Sequence, residues 1–498
     1  METIMKAIVP HPFFRYAAKF TLNSIVAGIS NLSYSIFKEP NKKGGRFLKE
    51  FNYSVKIGSQ IIRGKTTVSQ TWLIDLVYCV ISQCEYGDDC ISEQETLHLV
   101  SLYNDYYNCS EILSNKTINI WLYVYGFFGE QKQFQTEGLF ADNFAREKHI
   151  LDNISKKADP AKVANLDLQS EFQRITGYST DDYSFLLNYI TFYFLARGGA
   201  LSPFALIHKE ESILTEENQL HLLDLYSTDI DSIRSSPLKR QFLYVKPIIK
   251  LGDLYYSVNA HLMLALFVNS NYWVLRNHYL KIRSQVFLNA FGVYFERYVE
   301  ELLNYCLENN QYTHVQEVNY EKRADWLIVI DDYNFIVEQK SSLSILGIKQ
   351  TQTDINAIKL HILKNWGEAV QQLACTQEAL QIENPIKIIL VYEDYYKSEC
   401  LDELFVLDTS LTDDRSYWLM TIREFEMLIY TYKTNPDTFR EIVDEKISLE
   451  RERSHRGREI ERLFSKRSIN QNQYLRDSGI ILQFEQIKRR FRDYKGTE

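Results

Sequence analysis

The sequence predicts an α/β protein, α+β overall, with an αβα core around a mixed central sheet. A largely helical domain precedes that core and a charged helical tail follows it. Three observations carry this. From Thr71 to about Arg234 the apolar residues recur mostly at helical steps. Between Arg323 and Lys340 two short runs rich in Ile, Val, Phe and Trp flank Asp331-Asp332-Tyr333-Asn334, a hairpin pattern. Around that hairpin the elements come in the order helix, strand, hairpin, helix, strand. With 498 residues the chain is too long for one ordinary domain. The expected division is 1–240, a helical accessory domain; 241–432, the sheet-bearing domain; and 433–498, a charged helical segment.

In chain order, residues 1–50 show no regular period and include the basic run Asn41-Lys42-Lys43-Gly44-Gly45-Arg46. Gly58 to Thr66 looks like a phosphate-binding loop ending in Gly64-Lys65-Thr66. It has five residues between its glycines where such a loop needs four to wrap a phosphate, so nucleotide binding is set aside. Helical spacing follows at Trp72-Leu73, Leu76-Val77 and Val80-Ile81, and later at Phe185-Leu186, Tyr189-Ile190 and Tyr193-Phe194. Gly198-Gly199 stops that helix, and Ser202-Pro203 favours a new start. Phe242–Lys250 and Leu254–Val258 flank the turn Leu251-Gly252-Asp253 as a second hairpin. His261–Val268 and Tyr272–Tyr279 are expected helices.

Val286–Leu307 is one amphipathic helix, with Leu288, Phe291, Phe295, Tyr298, Val299, Leu302 and Leu303 at three- and four-residue steps. Glu296 borders that stripe. His314–Tyr320 is a candidate first strand of the core sheet. After the hairpin, Ser341 to about Asp354 is a polar connection. Ile358–Leu380 is a helix with Ile362, Trp366, Ala369, Val370, Leu373 and Leu380 inward. Pro385–Tyr392 is a buried strand. Leu404–Leu407 and Tyr417–Met420 are candidates to extend the sheet, and Thr421–Tyr432 and Thr438–Ile447 to close the domain as helices. From Ser448 arginines alternate with glutamates, the pattern of an exposed charged arm.

Asp325, Glu338 and Lys340 interrupt the apolar hairpin. Side chains alternate faces along a strand. A loop of two or four residues places all three on one face, with Leu327 opposite Glu338 and Asp325 opposite Lys340; a three-residue loop would separate them. Two carboxylates and an amine around one point suit a hard cation such as Mg²⁺, which takes oxygen ligands. Such an ion polarises a phosphoryl oxygen and lowers the pKa of a bound water. A lysine beside it can hold that water or neutralise developing charge. The plainer reading is a hairpin with one cross-strand ion pair. The strongly apolar flanks weigh against it, because charges on such strands must enter a cleft or a layer boundary.

Across residues 285–395 the Asp325…Glu338-Gln339-Lys340 pattern resembles the PD-(D/E)xK nuclease superfamily. The residue before Asp325 is Ala324 and not the proline of the motif's name. The resemblance implies a restriction-endonuclease-like core and a Mg²⁺-dependent endodeoxyribonuclease, with Mn²⁺ as an alternative ion. Asp325, Glu338 and the Gln339 backbone carbonyl would be metal ligands, and Lys340 would orient the attacking water. Glu296, on the run Gly292–Val299, would add a carboxylate. Gln372 would steady water or phosphate, with Gln371 as the competing choice. DNA as substrate, a role in bacterial defence against phage and action with a second protein subunit or as an oligomer are implications of the resemblance. The alternatives are a catalytically silent nuclease-fold scaffold that binds DNA or a partner, and an RNA nuclease.

Composition narrows the field. The formal charge of −9 argues against a generally sticky nucleic-acid binder, although residues 1–50 hold 8 Lys and Arg against 3 Asp and Glu, and residues 451–498 hold 13 against 7. Seven scattered cysteines without a C-x-x-C argue against a disulfide framework or zinc site. No signal-peptide pattern opens the chain, and the longest apolar stretch, Phe185–Ala196, is too short for a bilayer. The expectation is a cytoplasmic protein with no membrane partner.

Overall fold

Thr21 caps the first long helix, α1 (Leu22–Lys38), by accepting from the Ser24 N–H, and Ile25, Ile29, Leu32 and Ile36 form its buried stripe. The computed structural model describes residues 11–39, 48–108, 140–202, 213–237, 241–316, 322–341, 355–392, 400–452 and 460–495. α1 and the short helix Pro12–Ala17 replace the irregular reading of the first 50 residues. The basic run at 41–46 and Ser202-Pro203's continuation lie outside the described residues.

The phosphate-loop look-alike is a β-hairpin. β1 (Leu48–Ile57) pairs antiparallel with β2 (Gln60–Ser69) across a turn that opens on Gly58, whose φ of +61° suits glycine. Gly64 stands opposite Tyr53, where a Cβ would meet the Tyr53 hydroxyl at 2.6 Å. Both glycines thus have backbone reasons. Helices α2 (Gln70–Gln83) and α3 (Glu93–Asn108) pack beside the hairpin. Helices α4 (Phe140–His149), α5 (Thr180–Arg197) and α6 (Ala260–Lys281) continue the helical part. Gly198, in the left-handed region, ends α5 as expected. α6 is one helix where two were expected. Before it a small sheet forms, in the order β3 (Ala200–Leu201), β6 (Leu254–Ser257), β5 (Ile248–Leu251), β4 (Ser227–Thr228).

The larger sheet has the order β11 (Tyr417–Thr421), β10 (Ile386–Val391), β9 (Tyr333–Lys340), β8 (Trp326–Ile330), β7 (Tyr312–His314). Helix α7 (Val286–Cys306) leads to β7, β8 and β9, each antiparallel to the next. The strand expected at His314–Tyr320 therefore starts and ends earlier; residues 317–321 are outside the description. A helical crossover follows, made of Ile355–His361, a wide π-type turn Ile362–Gly367 and α8 (Glu368–Leu380). It allows β10 (Ile386–Val391) to lie parallel to β9. Leu404–Leu407 is not a strand but the end of α9 (Cys400–Leu407), which turns Leu401 and Leu404 inward. β11 (Tyr417–Thr421) then pairs parallel with β10. α10 (Ile422–Thr434) and α11 (Pro436–Arg451) follow, the first opened by a capping box between Thr421 and Glu424.

The sheet is covered on both faces. Ile336, Ile389, Val391, Tyr417 and Leu419 meet Ile362, Trp366, Val370 and Leu373 on one side. Trp326, Ile328, Phe335, Val337, Ile388 and Leu390 meet Phe295, Val299, Phe425, Leu428 and Phe439 on the other. Each fully buried aliphatic or Phe side chain contributes about 1.5–3 kcal/mol. The molecule is thus a mixed α/β protein of the α+β kind. Ile233 and Leu243, on either side of 240/241, belong to one hydrophobic core, and Ile429 and Phe439, on either side of 432/433, belong to another. Of the charged C-terminal run, Arg453, Arg456, Arg458 and Glu459 lie outside the described residues, while Ile460, Phe464, Tyr474, Leu475 and Ile487 belong to the core beneath the sheet.

Candidate active site

The β8–β9 turn is two residues, Asp331-Asp332. Asp331 takes a left-handed φ of +51°, a conformation Asp tolerates, and its Oδ2 pairs with Arg440 Nε at 2.9 Å. Tyr333 and Asn334 are therefore strand residues, and the register pairs Leu327 with Ile336. This corrects the expected facing of Leu327 with Glu338 and of Asp325 with Lys340. The shift is by two residues, so every side chain keeps its face.

Asp325 sits immediately before β8. Its N–H donates to the Val337 carbonyl at 3.0 Å, and its carbonyl accepts from the Val315 N–H at 2.9 Å. Its Oδ2 accepts from the Gln339 N–H at 2.7 Å. Backbone groups on both sides thus aim this carboxylate across the hairpin. Glu338, in the middle of the sheet between β8 and β10, is 3 % exposed. Its Oε1 accepts from Lys340 Nζ at 2.6 Å, while its Oε2 is buried and receives no N–H donor. Lys340 Nζ also donates to Gln372 Oε1 at 3.0 Å. Gln372 reaches down from α8 and donates from Nε2 to the Arg323 carbonyl at 3.3 Å. Gln371, the competing choice, is exposed. The structure therefore brings Asp325, Glu338, Lys340 and Gln372 together.

Burial pushes the Asp325 carboxyl well above the ordinary carboxylate range, and the neighbouring Glu338 charge adds to this. Burial likewise raises Glu338, against the lowering effect of Lys340. The two carboxyls lie close enough that each acts on the other's proton. The pair titrates as a unit.

Glu296 is on α7, on the other side of the sheet's end. Where α7 passes β9, a Cβ on Gly292 would lie 3.6 Å from Ser341 Oγ. Glu296 Oε1 pairs with His314 Nε2 at 3.0 Å, which holds the Glu296 carboxyl below its usual range and raises His314. Its charge still reaches Asp325. Glu296 is thus a neighbour of the pair and is not packed into it. Among the described residues no group of three or more His, Cys, Asp and Glu side chains is gathered for a metal ion.

Two contacts escaped the sequence reading. Thr376, one helical turn after Gln372, accepts from the Ala324 N–H at 2.8 Å and fixes α8 to the chain entering the site. His314 clamps Glu296 from β7. The four-residue step from Gln372 was a usable signal for Thr376. His314 had none, because its partner is distant in sequence.

The donor set suits a small hard cation. A buried carboxylate oxygen without an N–H donor lies beside a second carboxyl, and carboxylates in this number are what Mg²⁺ uses when it keeps several waters. The arrangement defines an acid pair, a buried Glu338 beside a half-buried Asp325, with an attached lysine and amide. Compared with protein-family models, curated proteins and solved structures, the chain matches none. No described helix is long and apolar enough to cross a membrane.

Proposed function

We propose that the protein is a Mg²⁺-dependent nuclease that hydrolyses phosphodiester bonds of DNA on a restriction-endonuclease-like core. The observation that carries this reading is the convergence of Asp325, Glu338, Lys340 and Gln372, with one Glu338 oxygen left for a ligand. Asp325 and Glu338 would hold the ion, with the Gln339 carbonyl beside them and Glu296 in reserve behind His314. When bound, Mg²⁺ supplies charge neutralisation at the phosphate and a more acidic water. Lys340 is tethered between Glu338 and Gln372, and its ammonium would hold a phosphate oxygen or the attacking water. The buried position of Glu338 excludes bulk water and strengthens these interactions.

A second reading has its own observation. Lys340 already occupies Glu338 Oε1, and Glu296 is held by His314, so a silent scaffold that binds DNA without cutting it also fits. Incubation of purified protein with plasmid DNA and with RNA, in Mg²⁺ or EDTA, separates the two. The nuclease reading expects Mg²⁺-dependent DNA cleavage, reduced by about 10²-fold or more in Asp325→Asn and in Lys340→Ala. Cleavage that survives both substitutions removes the site. Binding without cleavage in any divalent metal favours the scaffold.

A further inference from the structure

The outer face of the β1–β2 ribbon takes no part in the candidate active site, and its charge is opposite to that of the chain. The register pairs Asn52 with Lys65, Ser54 with Arg63 and Lys56 with Ile61. These six side chains share one face and all are exposed. The opposite face is buried: Tyr53, Val55 and Val68 belong to the core that holds Leu97 and Val100 of α3. Hydrogen bonds also tie the ribbon to α3. The Ser54 N–H donates to Gln94 Oε1 at 2.9 Å, Asn104 Nδ2 to the Thr67 carbonyl at 2.9 Å, and the Tyr53 hydroxyl to Ser101 Oγ at 3.2 Å. The outer face thus stands on a fixed support. It carries three cations, Lys56, Arg63 and Lys65, against one carboxylate, Glu50, which meets Lys65 Nζ at 2.9 Å. Lys56 and Arg63 make no ion pair among the described residues. In a chain of net charge −9 this is a local excess of positive charge. Arg63 and Lys65 are about 7 Å apart along their strand, and Lys56 is the diagonal neighbour of Arg63. The three repel one another unless an anion lies over them.

We propose that this face binds duplex DNA, with the ribbon seated in the major groove. Each strand has ten residues and is roughly 30 Å long. A groove about 12 Å wide admits a two-stranded ribbon. Arg63 and Asn52 carry the forked donors and the amide that pair with guanine and adenine edges. Lys56 and Lys65 meet backbone phosphates, and the exposed Ile61 at the tip offers an apolar contact to a thymine methyl. The charge excess selects a polyanion; the choice of DNA among polyanions rests on the nuclease reading. The helical part then holds the duplex that the acid pair cuts.

The test is fluorescence anisotropy of the full chain with a labelled DNA duplex in EDTA, where no cleavage occurs, over a range of salt. Lys56→Ala and Lys65→Ala are each expected to weaken binding by about 5–10-fold at low salt and to reduce the slope of log K against log salt by about 1. Arg63→Ala should weaken it by about 10-fold or more. All three side chains are exposed, so the variants should melt with the wild type. A triple alanine variant with wild-type affinity and slope overturns the proposal. Lys281→Ala, at the exposed end of α6, should leave binding unchanged; a loss equal to that of the ribbon variants would show an effect of net charge alone and overturns it too. An RNA duplex of the same sequence should compete about 10-fold less well, because its major groove is too deep and narrow for side chains to read. Equal competition overturns the groove seating. The two readings fail separately. Mg²⁺-dependent cleavage with a KM indifferent to the triple change removes the ribbon contact and leaves the nuclease. Ribbon-dependent binding without cleavage keeps the contact and removes the hydrolysis.

Discussion

Glu338 and Glu147 are both buried acids, and their surroundings differ. Glu338 has Lys340 at 2.6 Å and a second carboxyl beside it, the setting of a ligand-ready site. Glu147, on α4, is fully buried. One oxygen accepts from the Tyr272 N–H at 3.2 Å, the other is without a hydrogen bond, and burial pushes its carboxyl up to about 8. Folded Glu147 therefore keeps a proton that the unfolded chain, with a value near 4.5, gives up. Its stabilising share is complete below that value and is lost as pH rises through 8. Glu147→Gln keeps the shape and removes the charge. Thermal melts should show the variant close to wild type at pH 5 and more stable at pH 9, by on the order of a few kcal/mol. Equal melting at pH 9 would contradict the buried-acid account.

At the scale of elements, the site depends on α8 being docked at one height on the sheet. The Thr376 hydroxyl receives the buried Ala324 N–H. Thr376→Val is nearly the same shape and leaves that N–H without a partner, so it should cost about 1–3 kcal/mol in urea unfolding. A loss under about 0.5 kcal/mol, within the range of ordinary surface changes, would mean that the contact does not position the helix. The sequence made α7, the hairpin, the crossover helix and β10 legible because their apolar patterns are long. It made the shared face of Asp325, Glu338 and Lys340 legible because face depends only on whether the loop is even. It did not decide between two and four loop residues, since Tyr333 and Asn334 suit a turn as well as a strand. Leu404–Leu407 was misread because four apolar residues in a row have no period. Ile358, Ile362, Trp366 and Val370 follow a four-residue step that a regular helix would wind off its face; the wide turn at Ile362–Gly367 absorbs the drift. The Glu296–His314 pair joins α7 to β7 and leaves no local mark in the sequence.

Over the whole molecule, the helical part and the sheet part share one core. Arg146 of α4 forks onto Glu426 of α10, with Nε and Nη2 at 2.6 and 2.7 Å from its two oxygens. Tyr298 of α7 and Asn472 donate to the same carboxylate. Both ends of this ion pair are buried, so breaking it strands a charge. Arg146→Met should cost about 3–5 kcal/mol in urea unfolding, and the double change Arg146→Met with Glu426→Leu should recover much of it. A double variant no better than the single one would show that the pair is not the unit that matters. The described apolar residues of the C-terminal segment, among them Ile460, Phe464, Tyr474 and Leu475, belong to the same shared core. The central claim is that Asp325 and Glu338 hold a divalent ion for phosphodiester hydrolysis. Titration of Mn²⁺ into the protein with uncleavable duplex DNA, followed by electron paramagnetic resonance, tests it most directly. The account predicts ion binding that is lost in both Asp325→Asn and Glu338→Gln; binding unchanged in those variants, or no binding in the wild type, would contradict it.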